Sequence, residues 1–501
     1  MRSKTILQHI IFLLLILIAL PGTVPAYGEG SSFDVTIGEY LSAGTGRLPF
    51  WLQANRWGLY SDSALQSATA LETNYRRSWD NGFGAYLQGD LDIFVDDAGA
   101  EPRLRFGYGE LSWHAATLRA GVVPQLIGMI PHPELSSGSL SVSGNARPLP
   151  RVQASLSEFV SIPFTRDTLS IKGGIAHGWY TGDRVQGNEL LHEKWGYLRI
   201  GQPNSFGVYG GLVHHATWGG DAMDVTLDNF RRVFLASGGG ADNIEQFDSA
   251  IGGAIGNNRG IWELGFGMPL DGYRVDGYFQ KPFEQPNDIK WRNGDDGLYG
   301  IALELEHQGR WPRLLVFEHV RTMYQSGPHH TFKELYRDNE ADFGVDFDNF
   351  ANPGNIATHN GRSNYYSHNV YANGWTHQDR IIGTPFFVAT GTGADLRIAS
   401  NRIQASSLGW AGRLSSRMSY TGRFSFVYHA STIRSGAPRY APESIVPEGE
   451  GFVQWHLLMG IAFEQAFGRD ELNLEIELGA DYGDVYDDAV GVNLALRWRI
   501  L

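Results

Sequence analysis

The sequence predicts an all-β fold, a transmembrane outer-membrane β-barrel of about 14–18 antiparallel strands with short helical or plug elements. Three observations predict it. Apolar and polar residues alternate with period two through most of the chain after residue 70. Glycine reaches 63 residues and aromatics 13% while charged residues stay at 19%, a mixture that suits aromatic girdles outside and a polar lumen inside. The polar strand faces carry full charges of both signs, and hardly any helical pattern interrupts them. An open sheet of that length would leave edges free to pair with other chains, so closure is expected over a soluble sandwich or propeller.

Taken in order, residues 1–26 form an expected signal peptide. Arg2 and Lys4 make a positive start, Ile10 to Leu20 is an apolar run, and Val24-Pro25-Ala26 ends in a residue that signal peptidase accepts. The run is shorter than the roughly 20 residues a spanning helix needs. Next comes PFWLQANRWG (49–58), where Phe50, Trp51 and Trp57 stand among Gln53, Asn55 and Arg56. Neither a buried strand nor a soluble surface suits it, so it calls for a setting apolar on one side and wet on the other.

Strands are expected near 83–95, 103–108, 152–160, 168–179, 193–201, 205–213, 260–267, 273–280, 301–306, 311–322, 380–388, 393–400, 401–410, 413–429, 452–466, 471–478 and 490–500. In 301–306, Ile301, Leu303 and Leu305 oppose Glu304 and Glu306. In 471–478, Leu472, Leu474, Ile476 and Leu478 oppose Glu471, Asn473, Glu475 and Glu477. In 103–108, Arg103 and Arg105 alternate with Leu104, Phe106 and Tyr108. Turns such as Asp80-Asn81-Gly82 and Gly468-Arg469-Asp470 suit hairpins. Longer polar connections fall at 124–150, 219–249, 281–296, 323–379 and 431–451. Residues 226–237 read as a helix capped by Asp228 or Asn229, with Phe230, Val233 and Phe234 on one face and Gly238 to Gly240 as its stop.

The chain has no cysteine, so no disulfide or acylated cysteine anchors it. A formal charge of −14, from 40 Lys+Arg against 54 Asp+Glu, excludes a nucleic-acid partner. There is no Gly-x-Ser-x-Gly, His-Glu-x-x-His or phosphate-loop motif, so the chain is not expected to be an enzyme or to carry a cofactor. His214-His215 and His329-His330 make poor joint metal ligands, because neighbours on a strand point to opposite faces. Glu471, Glu475 and Glu477 read as a charged lumen wall balanced by arginines. The acidic run 338–350 supplies hard oxygens for Ca²⁺ through Asp338, Glu340, Asp342, Asp346 and Asp348, but its spacing is not that of an EF-hand, and a solvated loop is the simpler reading. Residues 323–379 mix Tyr324, Tyr336, Tyr365, Tyr366 and Trp375 with amides and carboxylates. That is the chemistry of sugar recognition, and these five are the candidate glycan-binding residues.

GRLPFWLQANRWG (46–58), WGYLRIGQPNSFGVYGGLVHHATWGG (195–220) and YYSHNVYANGWTHQDRIIGTPFF (365–387), in that order, resemble the signatures of the Wzi family of capsule-assembly proteins. The resemblance rests on Pro49, Phe50, Trp51, Asn55, Trp57, Gly58, Trp218, Gly374 and Trp375. It implies a Gram-negative outer-membrane barrel, with 18 strands as the best single figure, and a lectin-like protein that holds exported capsular or other surface polysaccharide at the cell. Its implied partners are that polysaccharide, outer-membrane lipid and the polysaccharide export machinery. Residues 27–501 then form one barrel, with about 27–68 as an N-terminal plug or mouth segment whose rings face apolar wall and whose Gln53, Asn55 and Arg56 face the wet lumen. The alternative is a passive porin for small polar solutes, which the barrel pattern alone would support.

Overall fold

The computed structural model describes residues 30–202, 204–237, 255–284, 291, 293–306, 309–325, 365–431, 444–447 and 449–501. Its strands are β1 (Ser31–Arg47), β2 (Ser63–Ser78), β3 (Phe83–Asp96), β4 (Gly99–Trp113), β5 (Ala116–Val122), β6 (Pro150–Ser161), β7 (Leu169–Trp179), β8 (Glu189–Ile200), β9 (Gly207–Gly219), β10 (Asn257–Leu270), β11 (Tyr273–Phe283), β12 (Gly297–Leu305) and β13 (Leu314–Arg321). Then follow β14 (Thr376–His377), β15 (Arg380–Ile381), β16 (Val388–Thr390), β17 (Arg397–Ser400), β18 (Ile403–Ser415), β19 (Met418–Ala430), β20 (Gly451–Phe463), β21 (Leu472–Gly483) and β22 (Ala489–Arg499). β14–β15 and β16–β17 are small separate hairpins. The other 18 strands make one antiparallel sheet, in which β13 pairs with β18 and β22 returns to β1. Closure removes both edges, and the strand number is the upper limit of the expected range.

Strand alternation sorts the side chains. Leu87, Leu104, Ile301, Leu478 and Leu494 are exposed on the outside, whereas Asp92, Arg103, Glu477 and Asn493 are buried within. These three buried charges are paired, as burial demands: Arg103 donates to both oxygens of Asp92 at 2.7 and 2.9 Å, and Glu477 takes Arg56. The alternation expected for 103–108 breaks at Arg105. Leu104 stands opposite Leu91 but Phe106 stands opposite Asp90, so Arg105 is a bulge residue and Phe106 turns into the lumen. Gly300 pairs with Tyr278 across β11 and β12, and a Cβ there would meet the tyrosine ring at 2.1 Å, so the ring lies flat over the glycine.

Short turns gather at one end, together with the chain's C-terminus: the Val35 amide donates to the Leu501 carbonyl at 3.1 Å. The long β1–β2, β5–β6, β9–β10 and β13–β18 connections gather at the other, which is the outward end of a barrel of this class. Two boundaries differ from the sequence reading. Most of 27–68 is wall: β1 and the start of β2 belong to the barrel, and only 48–62 turns inward. Residues 380–388 and 393–400, expected as wall strands, carry only β15, the start of β16 and β17, short pieces inside the outward end.

Helix α1 is the single turn Phe50–Gln53, and α2 spans Leu227–Leu235. The cap of α2 is Thr226, whose hydroxyl accepts from the Asn229 amide at 3.2 Å, and Ala236 in the left-handed region ends it. Asp228 and Asn229 already lie inside the helix. The signal segment, His329-His330, Tyr336 and the acidic run 338–350 lie outside the described residues.

Candidate functional site: a bonded plug in the lumen

Three connections fold into the barrel rather than over it. The first, 48–62, begins with Pro49, whose extended backbone starts α1 and drives Phe50, Trp51 and Leu52 into buried positions. Trp51 is 1% exposed and donates from Nε1 to the Ser425 hydroxyl of β19 at 2.9 Å, with the Arg423 guanidinium 5.0 Å from its ring centre. Phe50 stacks on His456 and Phe386 at 4.2 and 5.8 Å. Its amide, Arg47 and His456 all converge on Asp481 of β21. Asn55, Trp57 and Gly58 all have positive φ, which makes the sharp return toward β2. Gln53, Asn55 and Arg56, expected to face a wet lumen, instead bond protein groups. Asn55 donates to the Ser137 carbonyl, Arg56 pairs with Glu477, and Gln53 accepts from Arg380.

The second connection, 123–149, contains SSGSLSVSG (136–144), and its serines are fastened to alternate wall strands. The Ser136 hydroxyl and Ser137 amide donate to Glu318 of β13 at 2.7 and 2.5 Å. Ser139 and the Leu140 amide donate to Gln280 of β11 at 3.1 and 2.9 Å. Ser141 meets His215 of β9 at 2.6 Å. Small side chains with hydroxyls let the backbone lie close to the wall while satisfying its buried polar groups. Leu140 and Val142 point the other way, into the apolar cluster shared with the other two segments.

The third, the described part of 322–402, straps over the second. Tyr366 and Trp375 donate to the Leu140 and Ser141 carbonyls at 2.6 and 2.8 Å, and Asn145 donates to the Ile381 carbonyl at 3.0 Å. Gly374, with φ +64°, is required there, since a Cβ would meet the Tyr366 carbonyl oxygen at 2.0 Å. Burial pushes the His377 imidazole down to about 4, against the lift from its bond to the Arg147 carbonyl. Burial, helped by the Arg259 charge, pushes His368 down to about 3. Both rings are therefore neutral struts at ordinary pH.

The candidate residues divide accordingly. Tyr365, Tyr366 and Trp375 are at most 4% exposed and fully engaged in the plug, with no ring face turned to solvent. Tyr324 is half-buried, its ring against Gly294. Trp218, also from the family-like motifs, sits on the outer wall beneath α2. His214 and His215 do diverge: His215 bonds plug and lumen groups, while His214 bonds Asn258 outside.

Sequence reasoning missed one arrangement. Ser141 Oγ, His215 and Glu193 lie in line at 2.6 and 3.1 Å, with Arg151 on the far carboxylate oxygen at 2.6 Å. Only the tertiary structure joins these positions, so no spacing could have announced them. The order matches a nucleophile, base and orienter, but the surroundings serve docking. Ser141 is 2% exposed, its amide donates to Ser139 and its carbonyl accepts from Trp375, so its own N–H is not free to stabilise an oxyanion.

No family model and no curated protein matches the sequence. Among solved structures, the Escherichia coli outer-membrane protein Wzi, described as a carbohydrate-binding β-barrel involved in group 1 capsule assembly, superposes with a TM-score of 0.55 at 14% identity, over 93% of this chain and 84% of that one. Pseudomonas aeruginosa OprD superposes with a TM-score of 0.46 at 11% identity, over 95% of this chain and 97% of that one. At such identities the likeness concerns the fold, and the chain is an outer-membrane β-barrel.

Proposed function

We propose that this protein binds exported capsular or other surface polysaccharide and helps to retain it at the cell surface, with no catalytic step. The observation that carries the reading is the plug. Three segments tied to β9, β11, β13, β19 and β21 by side-chain hydrogen bonds make the barrel a rigid platform in the membrane instead of an open conduit. The carbohydrate-binding description of the Escherichia coli barrel points the same way, as do the three family-like motifs, each of which contributes to the plug or to the wall beside it. In this reading Tyr365, Tyr366 and Trp375 act by holding the platform, and sugar contact falls to Tyr324 and the outward loops.

The test is a deletion strain in which cell-bound and shed glycan are measured, beside planar-bilayer conductance of the purified protein. The expected result is normal total glycan, a larger shed fraction and no stable channel. Normal retention with a large stable conductance would replace this reading with the passive porin.

A further inference from the structure

Helix α2 lies against the outside of the barrel. Glu193 and His215 point into the lumen, so by strand alternation His192, Lys194 and His214 point outward, in line with the exposed Leu198, Ile200 and Val208 of the same strands. His177 of β7 stands opposite His192 on that outer face. The inner side of α2 covers this patch. Val233 is fully buried, Phe230 packs edge-on to His177 and His192 at 5.9 and 5.7 Å, and Trp218, Leu190 and Met223 complete the contact. Lys194 donates to the Phe234 carbonyl, placing a cation on the last turn of the helix. Without α2, a lysine and three histidines would face acyl chains, and among the described residues His192 has no hydrogen bond at either ring nitrogen.

The other side of α2 explains what lies beyond it. Leu227, Arg231 and Leu235 form a ridge at four-residue steps, with Phe234 and Val225 beside it. Leu227 is 83% exposed, Val225 63% and Leu235 59%. Asp228 pairs with Arg232 at 2.7 Å, while Arg231 stands exposed and, among the described residues, has no bonded or charged partner. A short helix with an apolar outer ridge, an unpaired arginine on it, and a place on the lipid-facing wall at the outward end has the form of an interfacial helix. We infer that α2 is a lipid-recognition element: its ridge enters the outer leaflet and Arg231 engages the phosphate of an anionic lipid headgroup there. The occupant is a phosphorylated lipid and not free phosphate, because the apolar side chains flanking Arg231 need acyl chains to cover them.

The chain's lack of cysteine allows a direct test on the full mature protein. A nitroxide attached through Leu235→Cys, in vesicles of phosphatidylcholine with phosphatidylglycerol, should collide more with dissolved oxygen than with a water-soluble nickel complex. The preference for phosphatidylglycerol over phosphatidylcholine, read by native mass spectrometry of retained lipid, should fall about fivefold in Arg231→Gln and persist in Arg231→Lys. Inorganic phosphate should not displace the lipid. A label at 235 as open to the nickel complex as one in water, an unchanged lipid preference in Arg231→Gln, or equal displacement by inorganic phosphate would each overturn the inference.

Discussion

Replacing Glu318 by Ala should unlatch the serine segment while leaving the barrel intact. Glu318 is 1% exposed and, among the described residues, no ion pair holds it; its close donors are the Ser136 hydroxyl, the Ser137 amide and the Tyr278 hydroxyl at 2.7, 2.5 and 2.6 Å, with the Ser407 hydroxyl farther off at 3.5 Å. Hydrogen bonds to a charged acceptor contribute about 1.5–3 kcal/mol each, so the three close ones lose about 4.5–9 kcal/mol of gross interaction. Water entering the space left by the carboxylate restores part of it, and a net loss of roughly 3 kcal/mol is expected. At about 1.4 kcal/mol per factor of ten, local opening of this segment should rise roughly 100-fold. Amide hydrogen exchange of the 130–145 region reports that opening, with a β21 peptide as internal control. Glu318→Gln, whose carbonyl still accepts, should give a smaller rise of about tenfold. Exchange within about threefold of the parent in Glu318→Ala would refute the latch, because three buried donors cannot lose their acceptor without consequence.

Leu494→Arg places a cation on the lipid face and should cost about 2–4 kcal/mol in folding into vesicles, while Gln88→Arg on a lumen-facing site should cost much less; equal effects would contradict the assigned faces. Asn493 is no neutral control for this purpose, since it donates to the Leu52 carbonyl at 2.9 Å and is 2% exposed. Acid should loosen the strap. His377 has a folded value near 4 against an unfolded one of about 6.5, so its stabilising effect is complete above the unfolded value and is lost as pH falls from there toward 4. His377 should add at most about tenfold per pH unit to strap opening, as followed by limited proteolysis, in that window, with His368 adding a similar contribution, and His377→Gln should lower the slope by its own share. A fluorophosphonate probe should leave Ser141 unmodified in the folded protein, and stoichiometric labelling there would show an accessible nucleophile.

The sequence by itself determined the class of fold. Period-two patterns in β12, β21 and β22 fix which side chains meet lipid, because one face must be apolar wherever the wall crosses hydrocarbon. It did not reveal β1 and β2. Their outer faces include Glu39, Ser67 and Thr69 and their inner faces include Gly38 and Ser42, so the alternation is blurred; pairing with strongly patterned β22 and β3 carries them into the wall. The aromatics of 49–58 signalled a setting apolar on one side and wet on the other; Phe50 and Trp51 lie in the buried apolar cluster, and the polar side is taken up by protein groups instead of water. That their polar neighbours would bond Ser137, Glu477 and Arg380 could not be read locally, since those partners are 82, 421 and 327 residues away. Tyr365, Tyr366 and Trp375 look in sequence like a sugar-binding loop, and only the tertiary structure turns them inward. The physical reason is common to the whole plug. A closed wall presents isolated buried carboxylates, amides and imidazoles to its lumen, and each must be satisfied by whichever connection can reach it. Periodicity specifies the wall, whereas the contents of the lumen follow from those distant, one-to-one hydrogen bonds.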